Sequence, residues 1–224
     1  MRSYRILIVD DESTTIEQAP KVLQEALELD SIIAIIDRAE STEDAHQLIC
    51  SAAEIGQPYD LAILDFKLPT KKGGHPDVDE TLCREISELM PNAVISHFTG
   101  YAEDAGIIAH VNRHHDGWRK RGFCIDKRDA DFGLKLVLET RRSLLSSDIE
   151  ARLQVLDGWG CGPATDFAHR HPGPRVPGPT SNRVMGLCMD ISIWWKYLIA
   201  PTRTLAKKYF EVDENFSPVR VTFR

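Results

Sequence analysis

Long apolar runs are missing from this sequence. The most apolar late window, residues 184–200, carries Asp190 and Lys196 in its interior, and two charges inside one span argue against a membrane helix. Residues 4–9 form an apolar stretch too short for the core of a secretory signal, and acids follow it at once. An excess of positive charge is also missing: the net charge is −7. That disfavours broad electrostatic binding of nucleic acid and leaves only a local basic patch open. The five cysteines, at 50, 83, 124, 161 and 188, are odd in number and lack framework spacing. The expectation is reduced thiols in a cytoplasmic protein. No internal repeat is evident. What remains is a core-forming composition, 42% hydrophobic and 27% charged, which excludes a wholly disordered or collagen-like chain. At 224 residues the chain has room for one large domain, or one domain and a smaller partner.

The first 145 residues alternate between two kinds of segment. Apolar runs at 4–9, 31–36, 61–64, 93–98 and 122–125 read as strands. Helical spacing fills the intervals. In residues 14–29 it is carried by Ile16, Val22, Leu23, Ala26 and Leu27, with Ser13 or Thr14 available as N-cap and Pro20 set to bend or delay the helix. Ser41 and Asp44 have capping-box spacing and open a second helix to about residue 55. Further helices are expected over 79–90, 102–114 and 130–156. Five strands alternating with helices predict an α/β fold: a doubly wound, five-stranded parallel sheet with helices on both faces. Functional groups then collect beyond the carboxyl ends of the strands.

Chemistry-bearing residues stand at those ends. The first strand runs into Asp10, Asp11 and Glu12, the third ends at Asp65, the fourth at Thr99-Gly100, and Lys127 follows the fifth. Several carboxylates in one pocket repel each other unless a cation joins them. Oxygen ligands are what Mg²⁺ prefers. Acids, a hydroxyl and an ammonium together suit phosphoryl transfer to a carboxylate.

The segments Ile6-Leu-Ile-Val-Asp-Asp-Glu12, Leu61-Ala-Ile-Leu-Asp-Phe-Lys-Leu-Pro69 and Phe98-Thr-Gly100, with Lys127, resemble the receiver domain of two-component response regulators, over roughly residues 3–145. The resemblance implies a flavodoxin-like receiver that is a phosphoacceptor and not an enzyme in its own right, although it assists its own phosphorylation and dephosphorylation. Asp65 would take the phosphoryl group from a sensor histidine kinase or phosphotransfer protein. Mg²⁺ would be held by Asp10, Asp11, Asp65 and the backbone carbonyl of Lys67. Thr99 and Lys127 would contact the phosphoryl oxygens. Two departures stand out. Arg128 follows the lysine where the family usually has proline, and Phe123 lies one residue further from Lys127 than the family's switch aromatic. If Phe123 sets the alignment, Asp126 falls on the lysine position. Residues 70–77 also make a longer loop than is usual after the acceptor.

Composition changes after residue 157. Residues 157–182 are rich in Gly, Pro and small polar side chains and read as a connection. Residues 183–209 have helical character interrupted at Pro201, and 219–223 could form a short strand. The expected division is a receiver over 1–145 and a mainly helical extension over 146–224. Charge divides with it. Residues 1–145 hold 17 Lys and Arg against 26 Asp and Glu, a balance of −9, whereas 146–224 hold 10 against 8, a balance of +2. The extension lacks a recognition-helix pattern. Arg203, Lys207 and Lys208 are its best basic cluster. Cys161, His169, His171 and Cys188 match no closed zinc motif. Trp194 and Trp195 suit packing on the receiver or on a second subunit. The expected output is a protein partner or self-association, without a membrane. A transcriptional regulator with an atypical DNA-binding tail and a pseudo-receiver that is never phosphorylated are the alternatives.

Overall fold

The computed structural model describes residues 2–66, 68, 80–100, 122–158 and 181–223. Lys67, the loop at 70–77, the expected helix at 102–114, and Cys161, His169 and His171 lie outside these residues. The chain divides into two compact units, Met1–Leu144 and Leu145–Arg224. Among the described residues the cysteines are free thiols, and no helix is long and apolar enough to cross a membrane.

The first unit contains β1 (Arg2–Val9), α1 (Ser13–Leu29), β2 (Ile32–Ala39), α2 (Thr42–Glu54), β3 (Leu61–Asp65), α3 (Glu80–Leu89), β4 (Val94–Thr99) and β5 (Cys124–Asp126), and then the start of α4 (Phe132–Gly158). The five strands form one parallel sheet in the order β2-β1-β3-β4-β5. This is the flavodoxin-like, doubly wound arrangement. The winding follows from apolar residues on both faces of the central strands. Leu7, Val9, Ala62 and Leu64 join Ala45, Ile49 and Ala52 of α2 and Leu82, Cys83 and Ile86 of α3 in one buried cluster. Ile6, Ile8 and Ile63 alternate with them and are also fully buried. On that second side α1 and α4 lie together, tied by Arg141 of α4, which bonds the carbonyl of Ala26 and pairs with Asp30.

Local signals explain several boundaries. Ser41 Oγ accepts the backbone N–H of Asp44 at 3.2 Å, the first half of a capping box. The Ser41 hydroxyl in turn donates to the Asp44 carboxylate, 2.6 Å away. At the other end of α2, Gly56 takes the left-handed conformation at φ 66°, and Gln57 N–H bonds back to Ala52 C=O, a Schellman-type end.

Two expectations for α1 are corrected. The N-cap is Glu12, which makes no side-chain cap bond, and Ser13 is already helical. Pro20 does not delay the helix, which starts seven residues earlier at Ser13 and runs through it. The proline is buried with Ile16, Ala19, Leu23 and Leu27, so the apolar face it completes offsets the missing N–H.

The second unit holds the rest of α4, then α5 (Ser181–Trp194), a 3₁₀ turn (Trp195–Tyr197), α6 (Ala200–Tyr209), β6 (Phe210–Asp213) and β7 (Arg220–Phe223). The helical run expected over 183–209 is therefore two helices parted at residues 195–199. Pro201 opens α6 rather than breaking it, because a first-turn position has no intrahelical N–H to lose. β6 was not anticipated; it pairs antiparallel with β7. Trp195 is 5% exposed, with Arg203 and Lys207 of its own unit each 5.6 Å from its ring centroid. It is an interior residue of the chain and not a surface anchor.

Candidate functional site: the strand-end carboxylate pocket

Strand register builds the site. Val9 of β1 is level with Leu64 of β3, so the next residues, Asp10 and Asp65, emerge side by side at the point where the sheet's winding reverses. Asp65 is level with Phe98 of β4, and Thr99 with Asp126 of β5. Lys127 follows immediately, its N–H bonded to the Thr99 carbonyl at 3.0 Å. Five residues from four strand ends thus converge: Asp10, Asp11, Asp65, Thr99 and Lys127.

The Lys127 ammonium lies between two acids. Its Nζ is 2.6 Å from Asp10 Oδ2 and 2.9 Å from Asp65 Oδ2, with Glu12 Oε2 at 3.8 Å. Asp126 is turned to other work. Its carboxylate holds Arg128 through the backbone N–H, Nε and Nη2, and these bonds lower its pKa to about 2. Lys127, not a shifted neighbour, therefore occupies the pocket. Phe123, directly before β5, is buried, and Cys124 is exposed.

Burial sets the electrostatics. Asp10 is wholly inaccessible, and desolvation pushes its pKa up to about 6 against the lowering effect of Lys127 and the Glu12 N–H. Asp65 is raised for the same first reason. For Lys127, burial pulls downward, but the hydrogen bonds to Asp10 and Asp65 outweigh it and leave the pKa above its ordinary value. Asp65 Oδ1 accepts its neighbour's N–H, from Phe66, at 2.6 Å, and Asp10 Oδ1 accepts that of Glu12 at 2.8 Å.

Asp10, Asp11 and Asp65 each present a carboxylate oxygen within 4.8 Å of the others. Three carboxylates against one ammonium leave a formal excess of two negative charges. An all-oxygen donor set with that excess fits a hard divalent cation such as Mg²⁺. Thr99 is fully buried at the end of β4. Among the described residues, a side chain built on Gly100 would meet nothing within 4 Å.

No protein-family model matches the sequence, and no curated protein matches it. Solved structures do match. Among them is the response regulator RcsB of Salmonella typhimurium, in a study of conformational dynamism for DNA interaction. It is 16% identical, the match covers 86% of this chain and 69% of that one, and the TM-score is 0.42. The sheet order and the distances above describe fold and pocket independently of that match.

Proposed function

We propose that this protein is a two-component response regulator whose receiver domain is phosphorylated on Asp65 with the help of Mg²⁺. The observation that carries the reading is the placement of Lys127 between Asp10 and Asp65, with Asp11 alongside, at the strand ends of a β2-β1-β3-β4-β5 sheet. Asp65 is the nucleophile: its carboxylate attacks phosphorus and forms the acyl-phosphate P–O bond as the bond from phosphorus to the phosphohistidine nitrogen, or to a small donor's leaving group, breaks and that group departs. Asp10, Asp11 and Asp65 would hold the cation; Lys67, whose carbonyl the receiver resemblance adds as a ligand, lies outside the described residues. The cation, when bound, offsets charge on the transferring oxygens. Lys127 loses one of its two acid partners when Asp65 becomes an acyl phosphate and turns its ammonium to the new oxygens. Thr99 supplies a hydroxyl on the adjoining strand end.

The phosphoryl donor is a sensor histidine kinase or a phosphotransfer protein. The output is protein–protein interaction or self-association, a population shift driven by the added charge. One observation weighs against DNA as the target of the extension. Arg203 bonds the carbonyls of Trp195 and Lys196, and Lys207 pairs with Glu214 at 2.7 Å, so two members of the basic cluster are engaged internally.

Incubating the protein with a small phosphoryl donor, with and without Mg²⁺, tests the reading. Phosphate should appear only with Mg²⁺, and not in Asp65→Asn. No incorporation by the wild type overturns it and favours an unphosphorylated interaction module; equal incorporation by the variant overturns Asp65 as the acceptor.

A further inference from the structure

A second cluster of ligating side chains lies where α2 meets α3. His46 and Cys50 are four residues apart on α2 and share a face; Glu85 comes from α3. His46 Nδ1 is 2.7 Å from Glu85 Oε1. Cys50 Sγ is 3.5 Å from the same oxygen and 3.9 Å from the same ring nitrogen, His46 Nδ1. The three donors all lie within 4.8 Å of one another.

We propose that His46, Cys50 and Glu85 form a binding site for a borderline-soft divalent ion of the Zn²⁺ class. Nitrogen, sulfur and carboxylate oxygen are the donor types Zn²⁺ takes, with bonds of about 2.0–2.3 Å. Tetrahedral geometry then sets donors about 3.3–3.7 Å apart. With Nδ1 as the nitrogen ligand, the sulfur–oxygen distance of 3.5 Å is already there, the sulfur–nitrogen distance of 3.9 Å has to close slightly, and the His46–Glu85 separation of 2.7 Å has to open by less than about 1 Å. The His46 side chain is 58% exposed and Glu85 15%, so an ion can enter from solvent, and a water can fill the fourth position. The thiol releases its proton to solvent on binding. A hard ion such as Mg²⁺ does not compete, because it favours oxygen ligands over thiolate. The cluster differs in this from the all-oxygen strand-end pocket. Bound metal clamps α2 to α3, the next described helix after the proposed acceptor strand. A simple ion pair between His46 and Glu85, with the thiol a bystander, is the competing account.

Titrating the metal-stripped, full-length protein with Co²⁺ decides between them. The expected result is a thiolate-to-cobalt charge-transfer band that Zn²⁺ abolishes by displacement. The band should be absent in Cys50→Ala and retained in Cys161→Ala, Cys188→Ala and Asp65→Asn. Removing an outer partner of a metal ligand weakens binding about 10–100-fold, so His46→Gln and Glu85→Gln, which remove ligands, should weaken it by about 100-fold or more. Zn²⁺ should raise the melting temperature of the wild type and not of Cys50→Ala, provided the variant's far-ultraviolet spectrum is unchanged. Absence of the band in the wild type, its persistence in Cys50→Ala, or its loss on Cys161→Ala overturns the proposal. Phosphorylation of Asp65 is not needed for any of these readouts.

Discussion

Each unit of the chain buries a carboxylate, and each treats it differently. In the second unit Glu150, 9% exposed, accepts the hydroxyl of the fully buried Thr202, and the backbone N–H of Ile199 bonds Ser146 Oγ at 3.2 Å. Polar groups there are matched by neighbours that tie α4 to the start of α6. In the first unit Asp10 and Asp65 share one ammonium, and Asp11 adds a third carboxylate without adding a second cation. Burial costs free energy in both places. In the strand-end pocket three carboxylates face one ammonium, an excess that a bound cation would offset.

Removing Lys127 should break the comparison most severely. Lys127→Met leaves two buried acids facing each other without their shared counter-charge. Breaking a buried ion pair in this way costs about 3–5 kcal/mol, read from urea unfolding at neutral pH without divalent cations. Lowering the pH should recover part of the loss as the acids protonate.

The wild type should show the same strain as a pH slope. Folding lifts the pKa of Asp10 from 3.8 to about 6, so the folded state binds a proton more tightly than the unfolded state. Its stabilising contribution is complete below about pH 4 and is lost as pH rises to about 6. Asp65 shifts in the same direction. Unfolding in chelator should therefore show stability falling across that window. Asp10→Asn should flatten the slope, and Mg²⁺ should restore stability above it in the wild type. A flat profile would place the acids in wetter surroundings than their burial indicates.

In the second unit the corresponding lesion is smaller. Thr202→Val removes a hydroxyl and leaves Glu150 with one fewer donor. A buried acceptor deprived of a partner costs about 1–3 kcal/mol, and Mg²⁺ should have no effect on it. Urea unfolding with and without the cation checks both statements. If Mg²⁺ rescued Thr202→Val, the charge imbalance would not be confined to the strand-end pocket.

These two regions also differ in how far their residues announced them. The parallel sheet was legible because β1, β3 and β4 are short, near-continuous apolar runs, and parallel strands covered on both faces need that pattern. Once the strands are set, period and register carry Asp10, Asp65, Thr99 and Lys127 to one edge. The ambiguity between Asp126 and Lys127 was not resolvable by spacing, since both follow an apolar strand. Register and the competing grip of Arg128 on Asp126 decide it. Pro20 misled because propensity cannot register a buried face. The second unit was less legible still. Its interior rests on contacts between distant residues, such as Thr202 with Glu150 and Ser192 with Val219, and such pairs leave no periodic trace. The strand β6 was hidden because it follows α6 without a turn signal. The His46–Cys50–Glu85 cluster has only half a signature, an i,i+4 pair, since the third donor depends on how α2 packs on α3.

The smallest expected effect belongs to an ion pair that looks strong on distance alone. Arg152 Nη1 lies 2.5 Å from Asp190 Oδ2 and 3.4 Å from Asp148 Oδ2. All three side chains are about one-third exposed, so water screens the charges and the long arginine gives up rotamer freedom to make the contact. Pairs of this kind contribute about 0.2–1 kcal/mol. A double-mutant cycle with Arg152→Met and Asp190→Asn should return a coupling in that range, shrinking as salt is added. The same cycle on Lys127 and Asp65 should return several times more and respond weakly to salt, because neither side chain is more than 9% exposed. Equal couplings at the two places would mean that the strand-end acids are as well hydrated as the surface pair. The excess charge assigned to the pocket would then have no energetic consequence.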